Sequence, residues 1–301
     1  MTEITLINTS SDGKLLKAVY NPDKGMNLLS FKKDFIEVID QSTKPLFEER
    51  CAGLGALIGP HFHRRHFEML PEILRNHSNP EIELLRNQNP KIDPFSHGIG
   101  RYASWKYEKS ESSISAVLQG SDTWNGIPLK EIEGQDFNMK YSANLTPNGL
   151  QIELSVVSET DSLIGIHHYY HLPKKKGIVT GNVRSHYLAD LQKHEIPNSW
   201  NYSRQTTTLK YSLDGEADFT FWSAPDPTRG TILLDTELYQ LKTSYVSKNE
   251  ECSWQLWHPE GASFVCIEPI SSQDPRHPNL TVSSIKIDLE IIDVDIISIN
   301  V

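Results

Sequence analysis

From Ile285 to Ile291 the chain alternates apolar and charged residues without a break. Successive side chains of an extended strand point to opposite faces. Ile285, Ile287, Leu289 and Ile291 therefore share one face, and Lys286, Asp288 and Glu290 the other. Such a segment sets one face against a core and the other in water, as antiparallel sheets do. The same period recurs at Ile114, Ala116 and Leu118, and at Ile152, Leu154 and Val156. Turn-forming clusters separate the runs: Asp12-Gly13, Asn21-Pro22-Asp23, Thr146-Pro147-Asn148-Gly149, Asp214-Gly215, Pro225-Asp226-Pro227 and Pro259-Glu260-Gly261. Many short strands so punctuated predict an all-β sandwich or barrel. Helical spacing is confined to Arg65–Arg75, where Phe67, Leu70 and Leu74 fall on roughly one face and Pro71 interrupts. Residues 76–94, rich in Asn and Pro, read as a loop. No repeat or low-complexity linker divides the chain, so one domain spanning residues 1–301 is expected.

The net charge of −10 removes any overall electrostatic drive toward nucleic acid or an anionic membrane. Local basic groups remain at Arg64-Arg65 and Lys174-Lys175-Lys176. The three cysteines, Cys51, Cys252 and Cys266, are odd in number and form no CxxC, which predicts free thiols in a reducing compartment. The opening Met1-Thr-Glu-Ile-Thr-Leu has no basic start followed by an apolar stretch, and no run approaches the ~18 apolar residues of a spanning helix. A cytoplasmic location is expected.

Four segments carry residues suited to chemistry. In Phe95-Ser-His97-Gly-Ile-Gly-Arg101 the glycines permit a tight backbone that presents a histidine at a cleft. In Gly165-Ile-His167-His168-Tyr-Tyr-His171-Leu, alternation puts His167, Tyr169 and His171 on one face and His168 and Tyr170 on the other. His167 and His171 would be metal ligands on a helix. On a strand they lie roughly 13 Å apart, too far to share an ion. No metal site is therefore expected, and proton transfer suits a histidine near neutral pH better. Ser263-Phe-Val-Cys-Ile-Glu268-Pro269 ends an apolar strand at a carboxylate, and Gly55-Ala-Leu-Ile-Gly-Pro60-His-Phe-His63-Arg64-Arg65 runs a strand into a basic loop. Arginine there can hold hydroxyl or phosphate oxygens with its planar fork. Trp105, Trp257 and the tyrosines are candidates for an apolar ligand-binding face.

In this order the segments Pro60-His-Phe-His-Arg64, His97-Gly98, His167-His-Tyr-Tyr-His-Leu172 and Phe264-Val-Cys-Ile-Glu268-Pro269 resemble the aldose 1-epimerase, or galactose mutarotase-like, superfamily. The resemblance implies a large antiparallel β-supersandwich, no cofactor, and a small sugar or sugar phosphate as partner. It implies Glu268 as the base that takes the anomeric hydroxyl proton and His167 as the acid that protonates the ring oxygen. His97 would bond near the ring oxygen, Arg64 would bind hydroxyls, and Asp218 is the best match for a substrate-binding aspartate. An acid–base pair of this kind is expected on opposite walls of a cleft, about one sugar ring apart. The chain departs from the family pattern where His63 replaces an asparagine before Arg64 and where Tyr-His-Leu replaces Phe-Asn-Leu. The segment His97-Gly-Ile-Gly-Arg101 is closer to the branch that includes hexose-6-phosphate mutarotases, where Arg101, Arg64 and Lys174 to Lys176 would meet a phosphate. Three alternatives stay open: a mutarotase of free hexoses, a hexose-6-phosphate 1-epimerase, and a non-catalytic carbohydrate-binding relative.

Overall fold

The computed structural model describes residues 2–75, 80, 82–83, 93–247 and 251–293. The expected alternation appears at Val282–Asp293, where Ile285, Ile287, Leu289 and Ile291 are all buried. Burying each such side chain is worth about 1.5–3 kcal/mol relative to leaving it in water. This strand lies between Gly149–Ser158 and Tyr239–Val246 in a ten-stranded antiparallel sheet. Thr146-Pro147-Asn148-Gly149 closes the tight hairpin between Phe137–Thr146 and Gly149–Ser158.

The other large sheet has eleven strands. Its centre runs in the order Gly55–Ile58, Gly165–His171, Phe264–Ile270, Ser253–His258, Ala217–Phe221. These are antiparallel neighbours brought together from distant parts of the chain. The two sheets enclose one continuous apolar core. Within it Tyr141 of one sheet donates a hydrogen bond to the Tyr20 hydroxyl of the other, over 3.0 Å. An antiparallel β-supersandwich is thus the architecture: of the sandwich or barrel that the alternation predicts it is the sandwich, in the form that the resemblance implies.

The central strands of the eleven-stranded sheet do not show the exposed face that alternation alone implies. Gly165–His171 is buried at six of its seven positions. Its Ile166, His168 and Tyr170 face the core, and the opposite face is roofed by the segments around residues 60–66 and 93–105.

The expected helix at Arg65–Arg75 is broken into a 3-10 turn, Phe67–Met69, and one helical turn, Glu72–Arg75. Pro71 is the cause. It holds Leu70 extended (φ −68°, ψ 142°), as a following proline ring demands. Leu70 and Leu74 are nonetheless buried, and Phe67 packs against the same core while partly exposed. The loop expected at 76–94 lies almost wholly outside the described residues. Two further helices, Lys44–Arg50 and Leu129–Glu133, are too short to leave a periodic signal. Among the described residues no helix is long and apolar enough to cross a membrane.

Candidate active site

Strand register fixes the floor of the site. Gly165 pairs with Ile270 and Tyr169 with Cys266, so His167 stands directly opposite Glu268 on the neighbouring strand. Glu268 in turn pairs with Gln255, Gln255 with Thr220, and His167 with Ala56. One straight row across five strands therefore reads Thr220, Gln255, Glu268, His167, Ala56. The next row on the same face reads Asp218, Trp257, Cys266, Tyr169.

These rows lie beneath a cavity of about 570 Å³ whose lining includes Arg64, His97, Arg101, His167, Asp218 and Glu268. All six residues proposed from the sequence are brought to one place. A larger groove of about 700 Å³ crosses the outer face of the ten-stranded sheet near Ser142 and Ser155, and none of the motif residues lines it.

His167 Nε2 and Glu268 Oε1 are 3.3 Å apart. The two groups sit side by side on the floor, not on opposite walls as the sequence suggested. The register of the two neighbouring strands places them there. Both side chains are nearly inaccessible, Glu268 at 1% and His167 at 6% exposure. Burial pushes the Glu268 carboxyl well above its ordinary range, opposed by the Arg101 charge. Burial and then Arg101 hold His167 well below its own. Both shifts favour the uncharged forms of the two groups. Glu268 Oε2 and His167 Nδ1 have no hydrogen-bond partner among the described residues.

Arg101 is 3% exposed. Its Nε donates to the Leu57 carbonyl at 3.0 Å, and its Nη2 has no partner among the described residues. A buried guanidinium with a spare donor on a cavity wall is a ready contact for an oxygen of a ligand. Arg64 stands exposed at the rim. Asp218 accepts a short hydrogen bond from Gln255 Nε2, and Gln255 Oε1 accepts from the Thr220 hydroxyl.

The His97 loop is held in an unusual shape. His97 has φ +64° and Gly98 φ +85°, and a Cβ on Gly98 would fall 2.1 Å from the Gly59 carbonyl oxygen. Glycine is required at 98 for both reasons. The His97 N–H donates to the His63 carbonyl at 2.7 Å, and the Gly59 N–H donates to the His97 carbonyl at 2.8 Å. His97 Nδ1 accepts from the His63 N–H at 3.3 Å. This suits an uncharged ring, and burial keeps His97 well below the usual histidine range. The ring stands edge-on to His167, with centroids 5.2 Å apart.

Behind this loop lies a buried group of four ionisable residues. Arg65 Nε donates to Asp93 at 2.7 Å, and His61 Nδ1 lies 2.9 Å from Glu133. The carboxylates also grip the loop backbone: the Phe95 N–H donates to Asp93 at 3.0 Å and the Ile99 N–H to Glu133 at 2.7 Å. Burial alone would strip the proton from His61, but the Glu133 and Asp93 carboxylates outweigh it and raise its pKa. Burial likewise works against Glu133, and His61 and Arg65 reverse it to hold that carboxyl low. With His61 protonated the four formal charges cancel.

Other sequence candidates fall outside the cavity. Trp257 lines it, but Trp105 is core, with Nε1 donating to the Gly100 carbonyl. Lys174 pairs with Glu237 on the surface, and none of Lys174 to Lys176 lines the cavity. His171 is turned to Asp40 at 3.1 Å. Tyr169, which shares the His167 face, lines the cavity as well, whereas Gln255 was not singled out from the sequence. Gln255 carried no motif, only its place two residues before Trp257 on an alternating strand. His167, Cys266 and Glu268 each offer a potential metal ligand, and these atoms all lie within 4.8 Å of one another.

Solved structures share this arrangement of strands. The Slr1438 protein from Synechocystis aligns over 98% of this chain and 97% of its own, at 16% identity and a TM-score of 0.66. A galactose mutarotase-like protein from Lactobacillus casei aligns over 96% and 100%, at 14% identity and 0.65. The fold is galactose mutarotase-like. A GalM/aldose epimerase homologue from C. elegans matches over 98% and 100%, at 12% identity and 0.64. No family model and no curated protein matches the sequence. At such identities the likeness carries the fold alone. The galactose mutarotase-like sheet supplies the floor of the cavity, and the chemistry rests on the side chains described above.

Proposed function

We propose that this protein is an aldose 1-epimerase, a cytoplasmic single-domain enzyme that interconverts the α and β anomers of a hexose without a cofactor. The 3.3 Å contact of His167 with Glu268 on the cavity floor carries this reading. In the complex the anomeric hydroxyl donates to Glu268 and the ring oxygen accepts from His167. Both contacts favour the charged form of the pair, with the shared proton on His167. Glu268 then takes the hydroxyl proton while His167 gives its proton to the ring oxygen. The C1–O5 bond breaks and C1 becomes a carbonyl. The pair is left with its proton on Glu268, the arrangement that burial favours. Rotation about C1–C2 presents the other carbonyl face, and the reverse transfers close the ring as the opposite anomer. Each positioned transfer contributes a factor of order 10²–10⁴. His97, Asp218 and Arg64 hold hydroxyls around the ring.

The spare donor of Arg101 and the rim position of Arg64 favour a second version of the same reaction, on a hexose 6-phosphate. Polarimetry or exchange NMR on freshly dissolved α-glucose, α-galactose and glucose 6-phosphate tests both. Acceleration of at least one is expected, and which one distinguishes the two versions. Sugar binding without acceleration of any, by folded protein, overturns the enzymatic reading in favour of a carbohydrate-binding relative.

A further inference from the structure

The residues under the cavity offer one chemistry that mutarotation does not use. Cys266 and Glu268 are two positions apart on one strand, so their side chains share a face. His167 faces Glu268 from the next strand. The three potential ligand atoms lie within 4.8 Å of one another, and the histidine–carboxylate edge is already 3.3 Å. A tetrahedral zinc site has bonds of about 2.0–2.3 Å and hence ligand separations of roughly 3.5 Å. The closure needed is on the order of 1 Å. His167 and His171 could not make such a site along one strand. The present trio draws its members from two strands.

We propose that His167, Cys266 and Glu268 form a capture site for a single thiophilic dication such as Zn²⁺. The fourth position of the ion opens to the cavity. One imidazole, one thiolate and one carboxylate are a ligand set that zinc takes readily and magnesium does not. A thiolate and a carboxylate carry two negative charges between them, so a bound dication leaves the trio with no net charge. The unpartnered atoms Glu268 Oε2 and His167 Nδ1 show that the present hydrogen bonding leaves polar capacity on the floor unused. The captured ion occupies both groups of the proposed acid–base pair, so it acts as an inhibitor of mutarotation. Cys266 itself does not line the cavity and takes no part in the proton transfers.

The test uses tag-free protein titrated with Co²⁺ and then Zn²⁺. One equivalent of cobalt is expected to give a thiolate charge-transfer band with tetrahedral visible bands, and zinc is expected to abolish both. Cys266→Ser should lose the thiolate band and weaken zinc binding at least tenfold, with mutarotation intact and its zinc inhibition relieved to the same degree. Cys266→Ala serves if the serine variant does not fold. No thiolate band in folded wild-type protein overturns the proposal, as does an undiminished band in the variant. The cobalt spectrum needs no turnover, so failure of the epimerase reading would leave this result standing, and the reverse.

Discussion

Glu268 and His167 are cross-strand partners, and the 3.3 Å between their side chains is set by the pairing of Gly165 with Ile270 and Tyr169 with Cys266. The proposed chemistry thus depends on the backbone ladder of two central strands. Glu268→Gln keeps the shape and removes the proton acceptor. It should lower kcat for anomer exchange by about 10²–10⁴-fold, with a much smaller change in KM. Saturation-transfer NMR on a substrate sugar measures both, and a loss below tenfold would remove Glu268 from the proton transfers.

The pH profile should be unusually broad. Burial raises Glu268 and lowers His167, so ionisation of the carboxyl moves to higher pH and protonation of the histidine to lower pH. The two steps belong to the pair and not to either residue. kcat/KM is expected to stay flat through neutrality and to fall on both sides. A profile with a single step near the ordinary histidine value would mean that His167 titrates independently.

Glu133 should matter although no motif contains it. Glu133→Gln leaves His61 and Arg65 with one carboxylate fewer in a buried setting. Breaking such a pair costs about 3–5 kcal/mol, read as a lower urea midpoint at unchanged slope. The Ile99 N–H also loses its carboxylate acceptor. Sugar affinity should therefore fall more than kcat, because His97 is displaced while the floor stays. Loss of kcat with KM unchanged would contradict a role in placing the loop.

Gly98→Ala tests the loop from the other side. The backbone is left-handed there, and the added carbon would meet the Gly59 carbonyl oxygen. The substitution should destabilise by more than the ~1 kcal/mol of an ordinary glycine replacement at positive φ. Chemical denaturation beside an alanine control at Gly13, where the added carbon meets nothing, gives the comparison.

Acid should unfold the protein partly through a residue outside the site. His168 is wholly buried, and burial lowers its pKa from 6.5 to about 3. A base depressed in the folded state stabilises it above pH 6.5 and loses that contribution progressively as pH falls toward 3. At about 1.4 kcal/mol per unit the loss amounts to a few kcal/mol. Thermal melts between pH 7 and 4 should show a steeper decline for the wild type than for His168→Leu. Parallel declines would assign acid sensitivity elsewhere, Asp93 and Glu133 first.

Much of the architecture was legible because alternation at Ile285 to Ile291, Ile114 to Leu118 and Ile152 to Val156 is a local property. The segments that meet at the candidate site were legible too, since His97, His167 and Glu268 stand in distinctive short motifs and line one cavity. Their arrangement was not. Which strand neighbours Gly165–His171 is decided by register between segments far apart in the chain, and only that register puts Glu268 beside His167 and Gln255 beside Glu268. The ionic group behind His97 was hidden for a different reason. Glu133 sits in a helix of five residues, and Arg65 and His61 looked like parts of a solvated basic loop until Asp93 and Glu133 covered them. Pro71 was noticed, but its effect on Leu70 outweighed the helical spacing around it.

The row Thr220, Gln255, Glu268, His167, Ala56 is a property of the sheet, whereas Arg64, His97 and Arg101 arrive on the segments that roof it. The proposed acid–base pair and most of the proposed ligand contacts are therefore carried on separate parts of the chain, with Asp218 the exception on the sheet. A descendant can rewrite its roof, and with it the ligand it admits, without touching the strands that hold His167 and Glu268. The converse route is closed. One residue inserted between Phe264 and Glu268, with no bulge to absorb it, would turn Glu268 into the core, and no revision of the loops would bring it back.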